Sequence, residues 1–546
     1  MARLGLSLIT IGCMAACGGG NPSDATNSSA GASVSVSLAG VFTQRYDNSR
    51  SGLNAQETVL TPTNVSQNQF GKLFSFPVDG QVQAEPLYVP KLTINQSPHN
   101  VLFVATEHDS VYAFDADGQP ATPLWQVSFL NPAAGITTVP SQDVETGDIS
   151  PEIGITATPV IDSAGGTIYL TAKTKELQDP SCTSNCNYNY VHRLHALDIA
   201  TGAEKLGGPV VIAASVPGTG YDSVNGTVTF SGLRQLQRPA LLLLDEVLYL
   251  GFGSHGDNDP YHGWLMAYDA NTLQQVAVFN VTPNGKQGSI WQGGGGPSVD
   301  AAGNVYVVTA NGTFDASTAG GIDYSNSVVK LQLNAGHFQV LDYFAPDDQA
   351  FLDENDFDLG AGPALVLPDQ PGPYPHLLAT AGKDSCLWIL NRDNLGKQQA
   401  YNAGAVQQIQ GFGGWLFAGG NYWNGNLYFQ AVHDFLKQFP LHSGTAEPPI
   451  NSPEHVGSRS SMAISANRAS QGIVWFADAS AVASSGPAVL RAFDATNVST
   501  ELYDSTQALN LRDQAGPAVK FVIPTIANGK VYLGAGGEVD VYGLLR

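Results

Sequence analysis

The 546-residue chain carries 24 basic and 47 acidic side chains, a formal net charge of −23. That balance excludes a binder of the nucleic-acid backbone, which needs a basic face, and a hydrophobic content of 43% excludes wholesale disorder. The 60 glycines and 32 prolines point to many turns. With no Gly-X-Y or heptad period, collagen and coiled coil are excluded too.

In chain order the first element is a targeting segment. Arg3 is the only charge before Asp24, and Leu4 to Gly12 is apolar. Such a stretch is too short to span a bilayer as a mature helix and matches the export pattern. It ends in Met14-Ala15-Ala16-Cys17-Gly18, which resembles a bacterial lipobox with Cys17 as the lipidated residue. A cut before Cys13 and a plain cleaved signal are the alternatives. The expectation is a lipoprotein signal peptide over 1–16 and a flexible, Gly/Ser/Asn/Ala-rich tether over 17–41. A body over 42–546 would then meet the membrane only through the N-terminal lipid. In an exported protein Cys182 and Cys186 are expected to form a small disulfide loop, and Cys386 to be a buried thiol within Cys386-Leu387-Trp388-Ile389-Leu390. The absence of Cys-x-x-Cys-His argues against covalent haem c.

From residue 101 onward one unit keeps returning. Val101 to Thr106 is a short β run, a polar loop follows, and Val111-Tyr112-Ala113-Phe114-Asp115 is an alternating run. Its second half recurs at 194–198, 265–269, 328–331, 387–391, 435–439, 490–494 and 539–542. A further short strand lies upstream of most copies and opens on proline, at Pro86, Pro159, Pro239, Pro297, Pro363 and Pro524. Proline is tolerated there because its missing N–H breaks no ladder. Four short strands per unit, repeated, predict an all-β propeller with eight blades. The last unit supplies three strands before the chain stops, so Lys72 to Phe76 is expected to complete the last blade and close the ring.

The run Tyr112 to Gly118, the run Ala196 to Gly202, and Arg45-Tyr46-Asp47-Asn48-Ser49-Arg50-Ser51-Gly52 carry a resemblance to the quinoprotein repeat. This is the superfamily of pyrroloquinoline quinone (PQQ) dehydrogenases and the outer-membrane assembly lipoprotein of similar fold. The resemblance covers roughly residues 42 to 546 and implies the fold more specifically than the activity. PQQ and Ca²⁺ are the cofactors it implies. The adjacent cysteine pair over which PQQ stacks in the alcohol dehydrogenases has no counterpart here, and the family's docking tryptophan matches at Trp125 but is missing after Gly202.

Strand alternation places the starts of the inner strands and the second-to-third loops on one face. The first set contributes Glu85, Glu152, Arg238, Trp291, Gln292, Asp358, Trp415 and Lys520; the second contributes His108, Asp109, His255, His262, Lys383, Asp384 and His433. Acids, bases and imidazoles around a concave mouth are the material of ligand binding or acid–base chemistry. The densest loop, Ser254 to His262, holds Asp257 and Asp259, whose oxygens suit Ca²⁺, although the same residue types also simply form turns. Trp291-Gln292-Gly293-Gly294-Gly295-Gly296 is not a phosphate loop; its glycines are expected to permit close backbone packing, with Trp291 as a stacking platform. The acidic run Asp353 to Asp358 reads as a solvated loop.

Three functions follow. The first is a lipid-anchored cell-envelope propeller that binds a small molecule, a glycan or an envelope protein at this face. The second, implied by the resemblance, is a PQQ-dependent dehydrogenase of an alcohol or sugar, with Glu152 or Asp384 as base. The third is a polysaccharide lyase or hydrolase using His255 with a nearby acid or Arg238.

Overall fold

The computed structural model describes residues 40–118, 121–457 and 461–545. The expected signal segment, Cys17 and nearly all of the tether lie outside the described residues. Within them the chain is all-β apart from one short α-helix, Gln349–Glu354, and several single 3₁₀ turns. Nine sheets form, eight of them with four to six strands and one with two. None of the described helices is long and apolar enough to cross a membrane.

The repeated run found in the sequence supplies a central strand to each of the eight larger sheets. In chain order these strands are Ser110–Asp115, Tyr188–Asp198, Trp264–Asp269, Val328–Asn334, Leu387–Asn391, Phe435–His442, Val489–Asp494 and Gly536–Leu544. Their runs are nearly continuous in apolar residues because both faces are buried, with side chains of one sheet packing against the neighbouring sheets. Trp125 shows one such junction: its indole donates to Ile199 O at 3.0 Å, and a Cβ at Gly202 would collide with its ring. In the last sheet the order is Phe70–Gln81, Gly536–Leu544, Lys530–Gly534, Thr525–Ala527. The early strand Phe70–Gln81 thus pairs antiparallel with the final one, Phe76 opposite Val539. Cys182 and Cys186 are disulfide-bonded, and Cys386 is buried and free.

Residues 41–57 form no sheet of their own and instead touch the first strand of every large sheet in turn. Val41 exchanges two backbone bonds with Tyr88, and Phe42 O accepts from Ile161 N. Asn48 donates to Leu243 O at 2.9 Å and accepts from Val299 N. Ser49 O accepts from Val366 N, and Gly52 O accepts from Asn421 Nδ2 and Ile464 N. Asn54 donates to Ile526 O at 2.9 Å. Seven strands have a backbone group satisfied by this one segment, and the eighth is held through the Asn421 side chain.

Two fully buried arginines brace it. Arg50 donates to Pro297 O, Leu241 O, Gln44 O and Thr43 Oγ1 at 2.9–3.2 Å. Arg45 donates to Arg50 O and Gly420 O, while Glu85 accepts from Arg45 N at 2.9 Å. Burial lowers both guanidinium pKa values to about 10 and raises Glu85 to about 8. Glu85, expected at the ligand-facing mouth, is therefore placed against this bracing segment. Arg50→Ala strands several buried carbonyls at about 1–3 kcal/mol each. The expected loss in urea unfolding is at least about 3 kcal/mol, and a loss below about 1 kcal/mol would contradict the bracing role.

Candidate functional site

A cleft of about 340 Å³ gathers side chains from several sheets, among them Arg238, Asp257, Trp291, Asp358, Lys383 and Trp415. Arg238 and Trp291 precede inner strands, Asp257 and Lys383 sit in second-to-third loops, so strand alternation does bring these two classes together. The glycine run after Trp291 makes the approach possible. A Cβ on Gly293 would collide with Phe417 O, one on Gly295 with Pro363 and one on Gly296 with Arg50. Gln292 is spent structurally, donating to Gly295 O and accepting from Val308 N, both at 2.9 Å.

The cleft's two cations are already engaged. Lys383 Nζ lies 2.9 Å from Asp356 Oδ1 and 2.6 Å from Asp358 Oδ2, and 5.8 Å from the centre of the Trp415 ring. Burial disfavours its charge, but the two carboxylates outweigh that and hold its pKa above the ordinary lysine value. Burial lifts Asp358 to about 6 despite the Lys383 ammonium. Arg238 is buried, donates to Gln83 and stacks 4.6 Å from the centre of Phe521. Burial lowers its pKa to about 10, with Glu107 and Asp148 opposing the fall. Asp257 accepts from Tyr261 Oη at 2.6 Å and Ser254 Oγ at 3.2 Å through Oδ1 alone; burial raises its pKa.

The remaining expected site residues lie elsewhere. His255 is buried with Nε2 2.6 Å from Lys173 Nζ, which also donates to Leu233 O and Gln235 O. Burial lowers the pKa of both groups. His108 Nδ1 is 2.9 Å from Glu152 Oε1, whose other oxygen accepts from Thr138. Asp109 is wholly buried, and burial holds its carboxyl well above the usual range. His262 is clamped between Asp222 and Thr282. Asp259 accepts from Tyr221 and Gln287, so Asp257 and Asp259 serve different partners. Asp384 accepts from Trp388 Nε1 at 2.7 Å and Cys386 N, and burial lifts it to about 7. His433 is exposed at a left-handed turn.

Sequence reading missed Glu107, Phe417 and Phe521. Glu107 is buried, accepts from Gly154 N and Thr156 Oγ1 at 2.8 and 3.0 Å, and keeps Oε1 unpartnered. Among the described residues three acids that could share a metal ion meet only at Glu454, Glu501 and Asp504. Arg491 fills that group, bonding all three. A second cleft of about 400 Å³, lined by Asp47, Asp300, Arg392, Tyr422 and Trp423, contains none of the expected site residues.

No protein-family model matches the chain, and no curated protein matches it by sequence. Solved structures do match. A europium-containing methanol dehydrogenase superposes with a TM-score of 0.60 at 14% identity, over 93% of this chain and 98% of that one. The quinohemoprotein alcohol dehydrogenase ADHIIG of Pseudomonas putida HK5 gives 0.58 at 13%, over 93% and 80%. That of Comamonas testosteroni gives 0.56 at 15%, over 93% and 81%. At such identities the likeness establishes the fold, a quinoprotein-like β-propeller, and nothing finer.

Burial raises Glu107 to about 7. A raised folded-state pKa contributes stability that is complete below the ordinary carboxylate value and is lost as pH rises through about 7. Glu107→Gln should therefore lose less stability than the wild type between pH 4.5 and 7 in urea titrations. Parallel pH profiles would contradict the buried, protonated state.

Proposed function

We propose that the chain is an exported, lipid-anchored β-propeller of eight blades that binds a small, polar, ring-bearing molecule in the Trp291–Trp415 cleft. Three features support the architecture: the eight larger sheets, the pairing of Phe70–Gln81 with Gly536–Leu544, and the passage of residues 41–57 across the sheets in chain order. Export and the Cys17 anchor rest on the sequence alone. One observation carries the binding function: aromatic faces and charged groups converge on a single pre-formed cleft. Rings stack on indole, and surrounding carboxylates and cations hydrogen-bond substituents, which is how such clefts recognise sugars and similar compounds.

The neighbours favour a second reading, an oxidoreductase carrying PQQ and Ca²⁺. When bound, that pair would supply hydride-accepting quinone chemistry. The cleft fits it poorly. Trp291 offers a planar floor, but no three acids or histidines converge there as metal ligands among the described residues. Asp148, Asp257, Asp356 and Asp358 outnumber Arg238 and Lys383, which disfavours a tricarboxylate. A lyase or hydrolase built on His255 has less support, since its ring is buried against Lys173.

Calorimetry against a panel of monosaccharides and amino sugars tests the first reading. Trp415, 41% exposed at the mouth, is the residue to remove. Trp415→Ala should bind the best ligand at least tenfold more weakly, about 1.4 kcal/mol. Unchanged affinity in a folded variant would move the site off this cleft, and dye reduction after reconstitution with PQQ and Ca²⁺ would favour the second reading.

A further inference from the structure

We infer that the cleft selects a ligand bearing a positive charge, an amine on a ring or an equivalent organic cation, over neutral and anionic counterparts. The inference rests on the reading of the cleft as a ligand site and adds the charge of its occupant.

The charge count comes first. Four carboxylates line the cleft against two cations; Asp148 is paired with Lys520 at 3.0 Å, which leaves Asp257, Asp356 and Asp358. Lys383 is bound by Asp356 and Asp358. Arg238 is buried, stacks on Phe521 and gives one N–H to Gln83. Acceptor capacity is left over: Asp257 Oδ2 takes no hydrogen bond, and the Asp356 side chain is 60% exposed while using one oxygen for Lys383 and Asn311. A ligand N–H⁺ finds charge-assisted acceptors here; a ligand carboxylate finds unpaired acids.

The aromatic lining points the same way. An indole face attracts a cation through its quadrupole, and the cleft already displays this with its own Lys383 ammonium 5.8 Å from the Trp415 ring centre. Stacking alone would accept any ring; stacking beside uncompensated carboxylates discriminates by charge.

Four sugars of one scaffold separate the claims: glucosamine, glucose, N-acetylglucosamine and glucuronate, titrated into the full chain by calorimetry at pH 7. Glucosamine should bind at least tenfold more tightly than glucose or N-acetylglucosamine, with glucuronate weakest. In Asp356→Asn and, separately, Asp257→Asn, each confirmed folded by circular dichroism, the ratio of glucosamine to glucose affinity should shrink at least threefold, and an unchanged ratio in both would overturn the charge selectivity. Equal binding of glucose and glucosamine overturns the charge selectivity and leaves the cleft reading intact, as does tightest binding of glucuronate. If none of the four binds, both the selectivity and the sugar-class reading fall.

Discussion

One short segment bonds to a strand of each of the eight large sheets, at seven of them through the strand's own backbone. Residues 41–57 bond in order to strands of every large sheet, from Tyr88 to Ile526. The segment holds Arg45, Tyr46 and Arg50 in the left-handed backbone region, which non-glycine residues adopt at a cost of order 1–3 kcal/mol each. The buried guanidinium bonds of Arg45 and Arg50 to surrounding carbonyls offset that cost. The same interaction fixes the cleft: Gly296 packs on Arg50, and the glycines before it lead to Trp291 and the Arg238 side chain. Bracing and binding are therefore two ends of one packed column.

Charge sets the character of the binding end. The Lys383 ammonium keeps its charge because two carboxylates hold it, and the buried Arg238 guanidinium stacks on Phe521 and donates to Gln83. Asp257 Oδ2 and the exposed edge of Asp356 are acceptors left open at the cleft. The chain's net charge of −23 adds a long-range field of the same sign, which draws cations toward the mouth.

Much of the fold was legible because it is repeated. The short apolar run at 111–114 and its copies mark strands buried on both faces, and proline at Pro86 or Pro297 marks where a strand begins. The strand completing the last sheet could be read from a simple shortage of strands at the C-terminus. The site was legible only in part. Arg238, Trp291, Lys383 and Asp257 share a cleft because strand alternation places them on one face. Asp358 and Trp415 were legible in the same way, as strand starts on that face, but the reading of 353–358 as a solvated loop gave no hint that Asp358 is buried as the partner of Lys383. Pairing across sheets leaves no local trace. Asp384 offered a weak clue, since an acid four residues before a tryptophan at a turn can accept its indole N–H. Phe417 and Phe521 lie outside the periodic runs and carried no signal at all.

A ligand-soaked crystal structure with glucosamine tests the account most directly. The account predicts density for one sugar ring in the Trp291–Trp415 cleft, its amine within hydrogen-bond distance of Asp257 or Asp356. Density confined to the opposing cleft beside Tyr422 and Trp423, or a ring whose amine faces Arg238, would contradict it.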